Sequence, residues 1–240
     1  MSLKLLSINI EGQKHLERVA VFMRSEAADI VCLMEVYNTD VASLAGTAYP
    51  YYKYVPNNVV TVATTTTPRV TLGVAILSNR PITSYDILYA DGNTQETLRV
   101  LGDGTHSPVV IMATIDNYLI GATHFTWTEG GSVSDQQRQD IATLLSYLAK
   151  TGEFILCGDF NIPRGNEMYL ALAKQYTDNI PPEIMTTIDP ELHRANFEQR
   201  GKLALVVDYV WSSPTYRVSD LKVISGVSDH CGVVCLVDRV

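Results

Sequence analysis

The feature that most constrains the fold of this chain is a series of short, almost continuously apolar runs. Runs of this kind predict β-strands that are covered on both faces, so layers of structure must lie on either side of each sheet. The predicted strands are Lys4–Ile10, Asp29–Val36, Thr71–Ser78, Val109–Ile115, Tyr118–Phe125, Phe154–Gly158, Ala204–Ser212 and Gly232–Val237.

Three segments between these strands show helical periodicity, with apolar residues at i, i+3, i+4 and i+7. The apolar stripes are Leu16/Val19/Ala20/Met23, Ile141/Leu144/Leu145/Leu148 and Tyr169/Leu172/Ala173/Tyr176. Ser134 and Gln137 predict a capping box before the second helix, and Lys150 with Gly152 predicts its end. No linker divides the chain, so the element order predicts one mixed α/β domain over residues 1–240, with helices outside the sheets.

Charge and composition limit the partners of such a domain. The net charge of −8 argues against tight binding of a phosphate backbone, unless a divalent cation supplies the positive charge. No apolar run approaches the roughly 20 residues that span a bilayer. Buried free thiols in the apolar runs favour a reducing, cytoplasmic location. These thiols are Cys32, Cys157, Cys231 and Cys235.

The segment Asn57–Pro68 is the least core-like part of the chain. Its Thr-rich portion, residues 59–68, is typical of a hairpin tip, and the alternative is a mobile lip beside a functional site. We favour the hairpin tip.

Polar residues stand at the ends of several apolar runs. Each one alone is typical of a turn, a solvated acid or a structural histidine, but together they are difficult to explain by packing. Ligands of α/β sheets collect outside strand ends, so these residues predict a common site. They are Asn9, Glu35, His124, Asp159, Asn161, Asp208, Asp229 and His230. Asp159 and Asn161 face the same side if the chain stays extended through Phe160.

The motifs "INIEG", "CLMEV", "GVAILSNRPI", "ATHF", "CGDFN", "VVDYVW" and "SDH" resemble, in this order, the endonuclease/exonuclease/phosphatase superfamily. That superfamily includes DNase I-like nucleases, abasic-site endonucleases, sphingomyelinases and inositol polyphosphate 5-phosphatases. The resemblance extends from Asn9 to His230 and implies a four-layer α/β sandwich, in which two face-to-face mixed β-sheets are flanked by helices. It implies a divalent-metal-dependent phosphoesterase that hydrolyses a phosphodiester or phosphomonoester by metal-assisted in-line attack of water.

The resemblance also assigns roles around a cation, Mg²⁺ or alternatively Mn²⁺, both of which favour hard oxygen ligands. Glu35 resembles the principal metal ligand, and Asn9 and Asp229 resemble its supporters, directly or through water. Asp159 resembles the acid that orients or deprotonates the attacking water. Asn161 resembles the amide that donates to a phosphate oxygen.

Asp208 and His230 resemble a paired acid and histidine, in which the acid fixes the tautomer and favours imidazolium. Whether His230 contacts the phosphate or acts as the base stays open. His124 resembles a phosphate contact or general acid of the DNase I-like branch. The glutamate that DNase I-like enzymes carry near the matching strand is absent from "RVTLGVAILS", so another group must orient His124.

Several questions stay open at this level. Arg164, His193 and Arg194 are weak candidates for substrate binding, with a solvated loop as the alternative. "LMEVYN" lacks the "QET" signature of abasic-site endonucleases, which argues against that branch. A nucleic acid, a small molecule and a lipid headgroup all remain possible substrates, and the oligomeric state is open. A non-catalytic phosphate- or partner-binding member is the alternative function, which the intact metal and histidine motifs disfavour.

Overall fold

The computed structural model describes residues 2–61, 68–100, 106–194 and 203–240. The strands of these residues are β1 Leu3–Asn9, β2 Ile30–Tyr37, β3 Tyr51–Thr61, β4 Val70–Ser78, β5 Ile82–Tyr89, β6 Val109–Ile115, β7 Tyr118–His124, β8 Ile155–Asp159, β9 Thr177–Asp178, β10 Asp208–Ser212, β11 Tyr216–Ile224 and β12 Gly232–Arg239. The helices are α1 Leu16–Glu26, α2 Val41–Ala45, α3 Asp135–Thr151 and α4 Glu167–Ala173, with a 3-10 turn at Glu129–Gly131.

The described strands form two six-stranded mixed sheets, a first sheet of order β11-β12-β1-β2-β4-β3 and a second of order β5-β6-β7-β8-β10-β9. The pairs β1/β2 and β7/β8 are parallel, whereas β12 and β10 run antiparallel to β1 and β8. In each sheet, two parallel strands therefore end where an antiparallel neighbour begins. β1 packs over β8 and β2 over β7, which brings these ends together.

The side chains of β1 point alternately to the two faces of the first sheet, which shows how the layers pack. Leu3 and Leu5 belong to the core between the sheets, whereas Leu6 and Ile8 pack with α1 on the outer face. Helices α3 and α4 cover the outer face of the second sheet. The predicted four-layer α/β sandwich is confirmed, and one apolar core joins both sheets.

Helix α3 begins where the sequence predicts, because Ser134 Oγ accepts a hydrogen bond from the Gln137 amide nitrogen at 3.1 Å. The capping box is incomplete, since the Gln137 side chain turns inward. It donates to the carbonyl oxygens of Thr126 at 3.1 Å and Asn161 at 3.4 Å. Gly152 follows the helix with φ of 86°, a conformation suited to glycine.

Helix α4 is shorter than its predicted stripe. Leu172 is buried as expected, but Ala173 is exposed and Tyr176 lies beyond the end of the helix. Met168 takes a buried position instead. The strand predicted from Ala204 likewise begins only at Asp208.

The interpretation of Asn57–Pro68 as the least core-like segment is wrong for its first part. β3 continues through Thr61, and Asn57 and Asn58 are buried. Register shifts on either side of Asn58 interrupt the alternation by which this strand would be recognised. The hairpin itself exists, with Thr61 opposite Val70, while residues 62–67 lie outside the described part of the chain.

All four cysteines are buried and free. Among the described residues, every helix is too short or too polar to cross a bilayer.

Candidate active site

The polar residues predicted at strand ends lie together at the edge where the two sheets meet. In the first sheet, β1 carries Asn9 and β2 carries Glu35, and the Asp229–His230 pair lies just before β12. The strands of the second sheet carry His124, Asp159 and Asp208, and Asn161 lies just after β8. Each is placed by a specific local feature of its strand or loop.

Asn9 ties the two sheets together. It ends β1 on the same face as Leu3, which points between the sheets. Its side-chain amide donates to Glu35 Oε1 and to Asp159 Oδ2, both at 3.1 Å. Its Oδ1 accepts the Glu11 amide at 3.1 Å. Both ends of the Asn9 side chain are therefore engaged, and its amide orients two carboxylates.

A β-bulge turns Glu35 toward this edge. Leu33 pairs with Ala75 and Val36 with Gly73, so Met34 and Glu35 share one partner position. Leu33 and Val36 both pack on the outer face, and regular alternation would have sent Glu35 there too. Glu35 instead adopts φ of 54°, which keeps Val36 buried and leaves the carboxylate beside Asn9.

Close approach of two strands explains the glycine before Asp159. Gly158 has φ of 136°, and a Cβ atom there would lie 2.1 Å from the Thr123 carbonyl oxygen of β7. Only glycine fits without displacing backbone. Asp159 follows on the last position of β8 and is 1% exposed.

The chain leaves the extended conformation at Asn161. Asn161 has φ of 53°, and its backbone N–H donates to Asp159 Oδ1 at 2.8 Å. The acid therefore closes a short turn, a common alternative to extended backbone for Asp. The Asn161 side chain donates to the Phe125 carbonyl oxygen at 3.0 Å, and Gln137 holds the Asn161 carbonyl oxygen.

His124 points its Nε2 into the cluster, 3.7 Å from both Glu35 Oε1 and Asp159 Oδ2. The missing glutamate is replaced by Asn57 of β3, whose amide lies 3.3 Å from His124 Nδ1. His106 stacks on the same imidazole with ring centroids 3.8 Å apart. The Nε2 atom of His106 lies 2.6 Å from the Phe125 carbonyl oxygen, which also accepts a hydrogen bond from the Asn161 side chain.

Asp208 and His230 form the predicted pair. Asp208 lies directly opposite Asp159 in the β10/β8 ladder, and its Oδ2 is 2.8 Å from His230 Nδ1. His230 Nε2 then faces Asp159 Oδ2 at 3.8 Å. Thr187 supports this pair, because its hydroxyl accepts the Asp208 amide at 3.0 Å.

Asp229 is buried beside His230, and its Oδ1 accepts a hydrogen bond from the Ser228 hydroxyl at 3.2 Å. Asp189 organises the backbone here. Its own amide donates to the Asp229 carbonyl oxygen at 2.8 Å, and its carboxylate accepts the Gly226 amide at 2.6 Å.

Sequence reasoning missed five supporting residues: Asn57, His106, Gln137, Thr187 and Asp189. They lie outside the predicted strand ends and become relevant only through contacts between distant segments. The clearest sequence indication is "TTIDP", where an acid precedes a proline, which is typical of a turn.

Burial raises the pKa of Asp159 and that of Asp229. It raises the pKa of Asp159 to about 7, helped by the negative charge of Asp208 and opposed by His230 and the Asn161 amide. It raises the pKa of Asp229 to about 7 as well. These acids exchange protons near neutral pH.

The histidines shift in opposite directions. Burial lowers the pKa of His124 to about 3 and that of His106 to about 3, so both are neutral at physiological pH. Burial also disfavours the charged form of His230, but the negative charges of Asp208 and Asp159 outweigh it and raise its pKa well above the usual value. The cluster therefore contains one imidazolium next to a neutral imidazole.

The donor set fits a hard divalent cation. Asp159, Asp208 and Asp229 are at most 7% exposed, and buried carboxylates in excess of nearby positive charge are costly unless a cation offsets them. Asp208 Oδ1 accepts no hydrogen bond from the described residues. Oxygen ligands of this type suit Mg²⁺ or Mn²⁺.

Within the described part of the chain, two sets of three ligand atoms lie within 4.8 Å of one another: His193/Asp229/His230 and Asp159/Asp208/His230. Glu35, the predicted principal ligand, belongs to neither set. It is joined to the cluster through Asn9 and His124.

The three weak candidates for substrate binding lie in different positions relative to the cluster. Arg164 is not part of the cluster, because its guanidinium binds the Asp178 carboxylate at 2.9 Å and the carbonyl oxygens of Ile180, Pro181 and Ile184. It stabilises a loop instead. His193 lies beside His230 with ring centroids 5.8 Å apart, and Arg194 is exposed next to it.

Solved structures with a similar fold include two that are described as phosphatases. An endonuclease/exonuclease/phosphatase from Beutenbergia cavernae DSM 12333 matches with a TM-score of 0.73 and 18% identity, over 99% of this chain and 72% of that one. A 3′ phosphatase from Neisseria bound to a product DNA hairpin matches with a TM-score of 0.69 and 19% identity, over 98% and 99%. A mannosyl-6-phosphatase from Bacteroides thetaiotaomicron VPI-5482 matches with a TM-score of 0.67 and 14% identity, over 98% and 99%.

At these identities the structural similarity establishes the fold alone, and a search of curated proteins found no match. The decisive comparison is with a sequence model described as the endonuclease/exonuclease/phosphatase family, which matches residues 6–230. That range contains every residue of the cluster. The chain therefore belongs to the endonuclease/exonuclease/phosphatase family.

Proposed function

We propose that this chain is a divalent-cation-dependent phosphoesterase that hydrolyses a phosphodiester or phosphomonoester by in-line attack of water. Members of the family are hydrolases that act on phosphoester bonds. The observation that carries the proposal is the bridge made by Asn9, which holds Glu35 of one sheet and Asp159 of the other around one point. Residues 1–240 are proposed to act as a single catalytic domain, because one core joins the sheets.

Glu35 and Asp229 are the proposed ligands of Mg²⁺ or Mn²⁺, and Asn9 orients Glu35. When bound, the cation would offset phosphate charge and polarise the phosphoryl group. Asn9 acts through its neighbours in this proposal, since its Oδ1 is engaged by Glu11 and its amide by two carboxylates.

Asp159 is the proposed acceptor of the proton from the attacking water. Two hydrogen bonds, from Asn9 and from the Asn161 backbone, fix its carboxylate. A pKa of about 7 matches the pH at which a general base is most effective.

His230 is proposed as a phosphate contact in preference to a base. Asp208 holds it as imidazolium, which has no free lone pair to accept a proton but donates from Nε2. Its position beside Asp159 suits it to stabilise negative charge on a phosphate oxygen.

His124 and Asn161 are the proposed neutral donors. With Asn57 donating to its Nδ1, His124 carries its proton on Nε2, toward the cluster. A neutral imidazole donates a hydrogen bond but is a poor acid, so the structure favours a phosphate contact over a general acid. Asn161 uses one amide hydrogen on Phe125 and keeps the second for a phosphate oxygen.

The substrate is best identified by a panel assayed in Mg²⁺ and in EDTA. Because similar folds include a DNA 3′ phosphatase and a sugar phosphatase, the panel should contain single- and double-stranded DNA, RNA, nucleotides, sugar and inositol phosphates, and sphingomyelin. We expect turnover of at least one ester in Mg²⁺ and none in EDTA. Equal turnover in both would contradict cation dependence, and no turnover of any ester would favour a non-catalytic binding protein. The cytoplasmic location stays a prediction.

A further inference from the structure

An exposed aromatic side chain lies beside the proposed catalytic groups. Trp127 follows His124 by three residues and is 47% exposed. It lines a cleft of about 240 Å³ together with Asn161 and His230. The indole therefore shares one cleft with two groups that are proposed to face the phosphate.

The backbone on both sides of Trp127 is held in place. Thr126 donates its hydroxyl proton to Asp140 at 2.6 Å, and its carbonyl oxygen accepts from Gln137. On the other side, a Cβ atom at Gly131 would lie 2.4 Å from the Pro163 ring, so that loop packs closely against the segment after β8. A ligand that contacts Trp127 thus meets a largely fixed backbone, which reduces the entropic cost of binding.

About half of the cleft lining is apolar. Its lining includes the side chains of Ile188, Leu203, Leu205 and Val207. Against these four aliphatic side chains, a polyol such as a sugar or inositol phosphate would lose water from its hydroxyl groups without gaining hydrogen bonds in return. A flat heteroaromatic ring suits this lining, because it offers apolar area and a π face for an indole.

We infer that this cleft is a subsite for the nucleoside part of a nucleotide substrate, with the base stacked on Trp127 and the phosphate toward Asn161 and His230. The inference rests on the proposed phosphoesterase function and narrows it to nucleotide esters. The net charge of −8 favours a mononucleotide or short oligonucleotide over a long strand.

Tryptophan fluorescence tests the subsite without turnover. The chain has two tryptophans, and Trp211 is buried at 1% exposure, so ligand-dependent quenching should report on Trp127. AMP added to the Asp159→Asn variant in Mg²⁺ should give saturable quenching, corrected for absorption, whereas ribose 5-phosphate should not. Trp127→Phe should keep the Trp211 emission and lose this response. Equal responses to the two ligands, or the same AMP response in Trp127→Phe, would overturn the inference.

Selectivity gives a second measurement. The ratio of kcat/KM for AMP to that for ribose 5-phosphate should fall about tenfold or more in Trp127→Ala. It should stay near the wild-type ratio in Trp127→Phe, which keeps a stacking ring, and in Tyr85→Ala, which removes a 51% exposed ring from edge strand β5. An unchanged ratio in Trp127→Ala would overturn the subsite while leaving the phosphoesterase proposal intact. AMP quenching without hydrolysis of any ester would support the subsite and contradict the phosphoesterase.

Discussion

The ionisable residues of the cluster hold different charges because their surroundings differ, although they lie within a few side chains of one another. Burial dominates at His124, with a pKa of about 3, whereas neighbouring acids dominate at His230, with a raised pKa. Asp159 lies between these extremes with a pKa of about 7. Separated pKa values of this kind are typical of residues with distinct catalytic roles.

Asp208→Asn should change the alkaline limb of the pH profile. In the wild type, His230 stays protonated well above its usual pKa because of Asp208, so activity that needs imidazolium is lost only as the pH rises through that raised value. Without the carboxylate, the loss should begin at lower pH. The measurement is kcat/KM against pH in Mg²⁺, and coincident alkaline limbs in the two proteins would contradict the role of His230.

His106→Phe should make stability less sensitive to acid. The pKa of His106 is about 3 when folded because of burial, so the unfolded chain binds more protons as the pH falls below about 6.5. Stability should therefore decline from about pH 6.5 toward the folded pKa. Phenylalanine keeps the ring against His124 and removes one titrating group, so the decline should be shallower. Urea unfolding at a series of pH values gives the free energy of unfolding of both proteins. Parallel plots of that free energy against pH for the wild type and His106→Phe would contradict the prediction.

At the scale of elements, strand geometry fixes the direction of the side chains in the cluster. Gly158 shows this most clearly, since both its φ of 136° and the 2.1 Å approach to Thr123 exclude a side chain. The two constraints together hold β7 and β8 close enough to bring His124 opposite Asp159.

Gly158→Ala should therefore be strongly destabilising. Gly165 is the matched control, because it also has a positive φ, 87°, but nothing lies within 4 Å of an added Cβ. We expect a loss of about 1 kcal/mol for Gly165→Ala from backbone strain alone, and of at least about 2–3 kcal/mol for Gly158→Ala. Urea unfolding gives both values, and equal losses would show that the strand approach is unimportant.

Strand-end reasoning predicts which elements carry the cluster, but it does not predict local departures from regular structure. Regular alternation of side-chain direction along β2 would point Glu35 toward the helices, but the bulge points it toward the other sheet. The chain leaves the extended conformation at Asn161, where the Asp159 carboxylate accepts the Asn161 amide and stabilises a turn. The turn depends on a side-chain to backbone hydrogen bond and the bulge on the pairing of β2 with β4, and neither is encoded by propensity or period.

At the scale of the whole molecule, the cluster exists only because two sheets face each other. Asn9 and Asp159 are 150 residues apart in sequence and hydrogen bonded in the structure. The period of the strands predicts a layered fold, while the pairing of these particular layers was implied by the family resemblance. Asn57 and His106 could not be predicted, because their contacts with His124 depend on that layering.

Mg²⁺ should stabilise the folded protein, since a ligand that binds only the native state adds about 2.7 kcal/mol at 100 times its Kd. Glu35→Gln removes a proposed ligand charge while keeping the size of the side chain, so the Mg²⁺-dependent increase in Tm should shrink or vanish. Glu129→Gln, in the 3-10 turn, is a control that should keep the full increase. The same increase in Glu35→Gln as in the wild type would contradict a cation at Glu35.

The cluster at the meeting edge of the sheets is tested most directly by the hydrolysis rates of Asp159→Ala and His230→Ala on the ester identified by the panel. Both variants should stay folded, as judged by circular dichroism and a cooperative unfolding transition. Each should lose about 10³-fold or more in kcat/KM, because the proposed proton acceptor or the proposed charged donor is gone. Wild-type rates in both folded variants would contradict the site.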